Sequence, residues 1–176
     1  CFKEKVDYEN NVKTFFLTNY TLNGIESFQS YYLYKKSISP VVEFSDFNAV
    51  VQTLLNEKSK LHEFSPDFVV LSLDLRIFVK DFSLNEWDLN IILLDLMKIL
   101  DLVKKAIKVP VIVTDFFLPA VNLMKNSTGD TLDKKVNKLN LELSEYIQSN
   151  SKEFFLVELS KMVGFVGNKN SIDDRL

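Results

Sequence analysis

The sequence predicts an α/β fold: a three-layer α/β/α sandwich on a five-stranded, mainly parallel sheet. Three observations carry this. Apolar runs of strand length alternate with runs of helical period along the whole chain, and no Asn-Gly-type hairpin turn joins two strands. The segment Phe68 to Leu73 is apolar on both faces apart from Ser72, as in a strand covered by helices on both sides. With 176 residues, 47% of them apolar and 15 of them Phe, the chain can bury one substantial core.

Residues 1–11 are charged and aperiodic and read as a lead-in. Val12 to Leu17 is the first strand. Asn23-Gly24-Ile25-Glu26 has the spacing of a helix start, and Leu22, Ile25, Phe28 and Tyr32 supply an apolar face running to about Lys36. Ser39-Pro40 breaks that helix, and Val41 to Phe44 is the second strand. Ser45-Asp46 is then expected to cap a helix whose apolar face is Phe47, Val50, Val51, Leu54 and Leu55. Leu61 to Asp67 reads as a helix end and a proline-marked turn into the third strand, Phe68 to Leu73.

Ser83 is expected to cap the longest helix, about Leu84 to Ile107. Its charges Asp88, Asp95, Lys98, Asp101 and Lys105 recur at intervals of three, four or seven and so share one solvated side. Val109 to Thr114 is the fourth strand, with Pro110 at its start where a missing donor is tolerated. The loop from Asp115 to Asp130, containing Pro119 and Gly129, is a place for function. Leu132, Val136, Leu139, Leu143 and Tyr146 form the stripe of the next helix, Phe154 to Leu159 is the fifth strand, and residues 164–176 form an irregular tail.

The formal net charge is −3, which argues against nucleic-acid or anionic-membrane surfaces. No apolar run approaches the ~20 residues of a membrane span, no signal segment opens the chain, and the single cysteine, Cys1, precludes an internal disulfide. These point to a cytoplasmic domain, with Cys1 as a boundary residue of a fragment or processed chain. Trp87 and the phenylalanines fall on periodic apolar faces with no basic residues between them, which marks them as core. Asn126-Ser127-Thr128 matches a glycosylation acceptor, a match without meaning in that compartment.

In an open parallel sheet, ligands bind beyond the carboxyl ends of the strands. The residues delivered there are Thr18, Asn19 and Thr21; Ser45 and Asp46; Ser72, Asp74 and Arg76; Thr114 and Asp115; Glu158 and Ser160. Either Arg76 or Arg175 is expected to face such a cleft, where a guanidinium could hold phosphate or carboxylate. Dinucleotide, P-loop and nucleophile-elbow motifs are absent. One histidine and one cysteine cannot build a His/Cys metal site. His62 precedes the third strand, at the end opposite the cleft, and reads as a surface histidine.

In order and spacing, Leu17-Thr18-Asn19-Tyr20-Thr21-Leu22, then Leu61, Phe64, Pro66 and Asp67 before the Val-rich strand, Leu139-Asn140 before the last strand, and Gly164, Gly167, Asp173, Asp174 and Arg175 resemble the N-terminal domain of FkbH-like proteins. These belong to the haloacid-dehalogenase (HAD) superfamily, HAD-IIIC type, and their N-terminal domain is a relative of the SGNH/GDSL hydrolase fold. The resemblance covers nearly the whole chain as one domain, 1–176, and implies an SGNH/flavodoxin-like sheet. It implies a HAD-type domain after residue 176, which would carry the Mg²⁺, with no cofactor or metal in this chain. It also implies an acyl carrier protein as partner, loaded with a glyceryl thioester.

SGNH relatives place a nucleophilic serine after the first strand and an Asp-x-x-His near the carboxyl terminus. Here Thr18-Asn19 and Asp173-Asp174-Arg175 stand in those places. An unassisted threonine is a poor nucleophile, so an intact triad is not expected, and Thr18 and Asp173 stand as catalytic candidates without an identified base. The ligand-binding candidates are Thr18, Asn19, Thr21, Ser72, Asp74, Asp115, Asn140 and Arg175. The expected function is a non-hydrolytic domain that assists acyl or glyceryl transfer by binding carrier or acyl group. The alternatives are a divergent esterase or acyltransferase using Thr18 or Thr21, and an interaction scaffold whose cleft is filled by Phe116 or Phe117.

Overall fold

A computed structural model describes residues 10–22, 24–80, 82, 86–118 and 131–166, with side chains described to residue 162. Five strands, β1 (Asn11–Thr18), β2 (Ser39–Phe44), β3 (Phe68–Ser72), β4 (Val111–Thr114) and β5 (Phe154–Val157), form one sheet in the order β2-β1-β3-β4-β5. Every neighbouring pair is parallel. The helices are α1 (Ile25–Tyr34), α2 (Val50–Leu55), α3 (Lys60–Phe64), α4 (Leu75–Phe78), α5 (Leu89–Ala106), α6 (Leu132–Ser149) and α7 (Leu159–Val166). The architecture is the α/β sandwich expected, with the sheet wholly parallel.

Phe15, Leu17, Val69, Leu71, Val111 and Val113 supply the sheet's part of the core. Leu96, Ile99, Leu100 and Val103 of α5, and Leu132, Val136, Leu139, Leu143 and Ile147 of α6, lie against them. Such side chains each stabilise by roughly 1.5–3 kcal/mol when fully buried. Trp87 is core, as its position predicts, and stacks on Phe82.

Several boundaries differ from the sequence expectation, each for a local reason. The helix expected from Leu84 begins at Leu89 and equals α6 in length, and Asp88 caps it by accepting from the Asn90 N–H at 2.7 Å; Ser83 lies outside the described residues. Ser45-Asp46 does not cap α2. The Ser45 hydroxyl is engaged by the Thr18 backbone, Asp46 pairs with Lys60 at the surface, and the helix starts only at Val50, leaving Phe47 and Leu55 exposed.

The second strand starts at Ser39 and includes Pro40. This is tolerated because β2 is an edge strand whose odd-numbered amides, such as those of Ser39 and Ser45, face β1. On the outer side Pro40 has no N–H, and the Phe44 N–H is taken by the Glu43 carboxylate at 3.2 Å. The fifth strand ends at Val157, and the stretch through Val166, expected as strand and then irregular tail, is the helix α7.

Helix α1 is rotated relative to its predicted face. Phe28 and Tyr32 are 67% and 64% exposed, and Tyr31 is exposed beside them. The half-buried side is Ile25, Gln29 and Leu33, with Gln29 Nε2 donating to the buried Thr14 hydroxyl at 2.6 Å. A buried hydroxyl on β1 needs a partner, and Gln29 provides it.

Tyr146, expected in the α6 stripe, is only partly buried, and its hydroxyl donates to Asp101 on α5 at 2.7 Å. Burial, and then this bond to a carboxylate, push the phenol above its ordinary value. A folded-state value above the unfolded one means the bond's stability is present below about pH 10 and is lost as pH rises toward the folded-state value. The difference in urea midpoint between wild type and Tyr146→Phe should therefore hold constant below about pH 10 and shrink steadily above it. Parallel curves would refute the tie.

Candidate functional site

The carboxyl ends of β3 and β4 open on a cleft of about 230 Å³. It lies next to β1, where the strand order reverses, the place an open parallel sheet reserves for ligands. The residues after each strand build it. Tyr20 comes from the turn after β1, Ser72 to Arg76 from the end of β3 and the start of α4, Thr114 to Leu118 from the end of β4, and Leu159 from α7, with Phe82 beside them. Three hydroxyls form a row along it: Tyr20 to Ser72 at 2.9 Å, and Ser72 to Thr114 at 2.8 Å. Burial raises the Tyr20 phenol above its ordinary value and Asp74 adds to this, partly offset by the Ser72 bond. Tyr20 therefore stays uncharged near neutrality.

Two asparagines hold the backbone that carries the cleft. Asn19, 3% exposed, donates through Nδ2 to the Asp74 carbonyl at 3.0 Å and accepts from the Asp74 N–H at 2.8 Å. Asn140 on α6 does the same to Phe116, donating at 2.7 Å and accepting at 2.9 Å. Each side chain replaces a missing ladder neighbour where the strand has ended.

The acids are equally engaged. Asp74 caps α4 by accepting from the Arg76 N–H at 2.8 Å and also holds the Arg76 guanidinium. Asp115 is buried and accepts from both the backbone N–H and the hydroxyl of Ser160, so it caps α7 from the turn after β4.

Of the residues singled out in the sequence, Ser72, Asp74, Arg76, Thr114 and Asp115 converge on the cleft. Thr18 does not line it. Its side chain is buried and its hydroxyl donates to the Tyr20 carbonyl at 2.7 Å, bracing the turn. Thr21 is exposed and also off the cleft, while Asn19 and Asn140 act on backbone. Asp173, Arg175, Pro119, Gly129 and Cys1 lie outside the described residues.

Phe116 is core and Phe117 is half-buried at the lining, and among the described residues none fills the cleft between them and the hydroxyl row. Tyr20 was not singled out as a site residue. Its signal is the turn position directly after Asn19. His62 lies on α3 before β3 and is half-buried, with Nε2 enclosed and without a hydrogen-bond partner among the described residues. No group of three or more His, Cys, Asp or Glu side chains among the described residues could hold a metal ion. No described helix is long and apolar enough to cross a membrane.

The fold is similar to the crystal structure of the N-terminal part of the protein BF1531 from Bacteroides fragilis, containing a phosphatase domain and complexed with Mg. The TM-score is 0.78 at 15% sequence identity, over 93% of this chain and 44% of that one. The chain thus spans less than half of that neighbour, and the likeness at this identity is one of fold. No protein-family model and no curated protein sequence matches the chain.

Proposed function

We propose that this chain is a non-hydrolytic, SGNH-like N-terminal domain of a longer FkbH-like protein. In this reading its cleft binds the acyl or glyceryl group of a carrier-protein thioester, while a HAD-type domain using Mg²⁺ carries out the chemistry. The observation that supports it most is the lining: a row of hydroxyls on one side, Leu73, Leu75, Phe82 and Phe117 on the others, and no histidine. Nucleophilic attack by a hydroxyl needs a base within hydrogen-bond reach. Ser72 has only two other hydroxyls as partners, and the chain's single histidine is at the far end of the sheet. The volume equals that of about seven or eight liquid waters, room for a short acyl chain. The fold likeness to the N-terminal part of a phosphatase-domain protein supports the multidomain arrangement.

Calorimetric titration with a short-chain acyl-pantetheine tests this. Saturable binding is expected, weakened about tenfold or more by Ser72→Val, which removes the middle hydroxyl. No turnover of p-nitrophenyl acetate above buffer is expected. Turnover abolished by Ser72→Ala would favour the divergent esterase. A second reading, an interaction scaffold, is favoured by the outward Phe28, Tyr31 and Tyr32 of α1; failure of any acyl compound to bind would support it.

A further inference from the structure

Arg76 is the only cation among the described residues that line the cleft, and Asp74 and Asp115 are the carboxylates there. Both of the latter are already committed. Asp115 is held by Ser160, and Asp74 is bound to Arg76 through Nε at 3.1 Å to each oxygen and through Nη2 at 2.6 Å. The Nε–Nη2 edge is one of the forks with which a guanidinium grips carboxylate or phosphate, and here it is filled from within.

Asp74 cannot readily turn away. Asn19 fixes its backbone on both sides, and its Oδ1 also caps α4. Its side chain is 19% exposed against 61% for Arg76, so the carboxylate is the anchored partner and the guanidinium the one drawn onto it. With two carboxylates against one guanidinium, an entering anion meets net like charge. An uncharged acyl group meets hydroxyls that both donate and accept.

We propose that Asp74 is a specificity-determining residue: by occupying Arg76 it confines the cleft to uncharged ligands, and loss of its charge turns the same cleft into a phosphate or carboxylate site. This rests on the cleft being the ligand site, as read above, but its test needs no acyl compound. Asp74→Asn keeps the size and the cap acceptor while removing the charge. Binding of inorganic phosphate is measured by calorimetry at low salt for wild type, Asp74→Asn and Asp74→Asn/Arg76→Gln.

Asp74→Asn should bind phosphate about 10- to 100-fold more tightly than wild type, the range a charge-assisted hydrogen bond supplies, and the double variant should lose that gain. Asp74→Ser, which also caps, should gain in the same direction and serves if the amide variant does not fold. Equal phosphate affinity in wild type and both single variants, or a gain that survives Arg76→Gln, overturns the inference. Wild-type binding of uncharged acyl-pantetheine, measured alongside, separates the two proposals. Its absence with the phosphate gain intact overturns the acyl reading alone, and its presence without the gain overturns this one alone.

Discussion

Replacing Phe15 with alanine should lower the unfolding free energy by about 3–5 kcal/mol, the cost of a large cavity at a site unable to collapse. Phe15 is fully buried on β1, in register between Glu43 of β2 and Val69 of β3, with its ring 6.2 Å from that of Phe64. Backbone hydrogen bonds on both sides hold β1 in place, so the strand cannot shift inward to fill the space. Urea unfolding followed by circular dichroism measures the change. A loss below about 1 kcal/mol would mean that this position is not rigid core.

Asn19→Ala should cost about 2–4 kcal/mol, from an N–H and a carbonyl of Asp74 both left without their partner in a partly buried site. The damage should extend to the cleft, because Asp74 positions Arg76 and the start of α4. Loss of acyl-pantetheine binding should therefore accompany the loss of stability. If Asn19→Ala unfolds within 0.5 kcal/mol of wild type (about the scatter of neutral surface changes), water replaces the clamp and the cleft does not depend on it.

The strands were legible because a parallel strand covered on both faces is a continuous apolar run, and Phe68 to Ser72 can hardly be anything else. Ser72, Asp74 and Asp115 were legible as cleft residues because topology alone puts strand-end side chains there. Their partners were not. Asn19 acts on a residue 55 positions away and Asp115 caps a helix 45 positions away, and no local pattern encodes such a bond. For the same reason α7 reads as strand and tail: its cap, Asp115, follows β4, and Gly164 weakens its pattern.

In α1, Phe28 and Tyr32 have the right spacing for a core face. The buried Thr14 hydroxyl turned the helix the other way by selecting Gln29. A hydrophobic period gives a face but not the direction in which it points, and a single polar demand from the sheet decided that.

The wholly parallel sheet has a kinetic consequence. Adjacent strands are nowhere joined by a tight turn: β1 ends at Thr18 and β2 begins at Ser39, and β1 pairs next with β3, which begins at Phe68. The parallel register pairs Asn11 with Ser39 and Thr14 with Phe68, so the first ladder bond can form only after a segment of roughly thirty residues has been closed, and the β1–β3 pairing requires one about twice as long. Folding therefore starts from collapse of apolar segments or from local helices such as α5 and α6, with the ladder assembled afterwards. Until it is, the runs that become β1, β3 and β4 are unpaired and exposed together, and the chain is most open to association with its own copies in that interval.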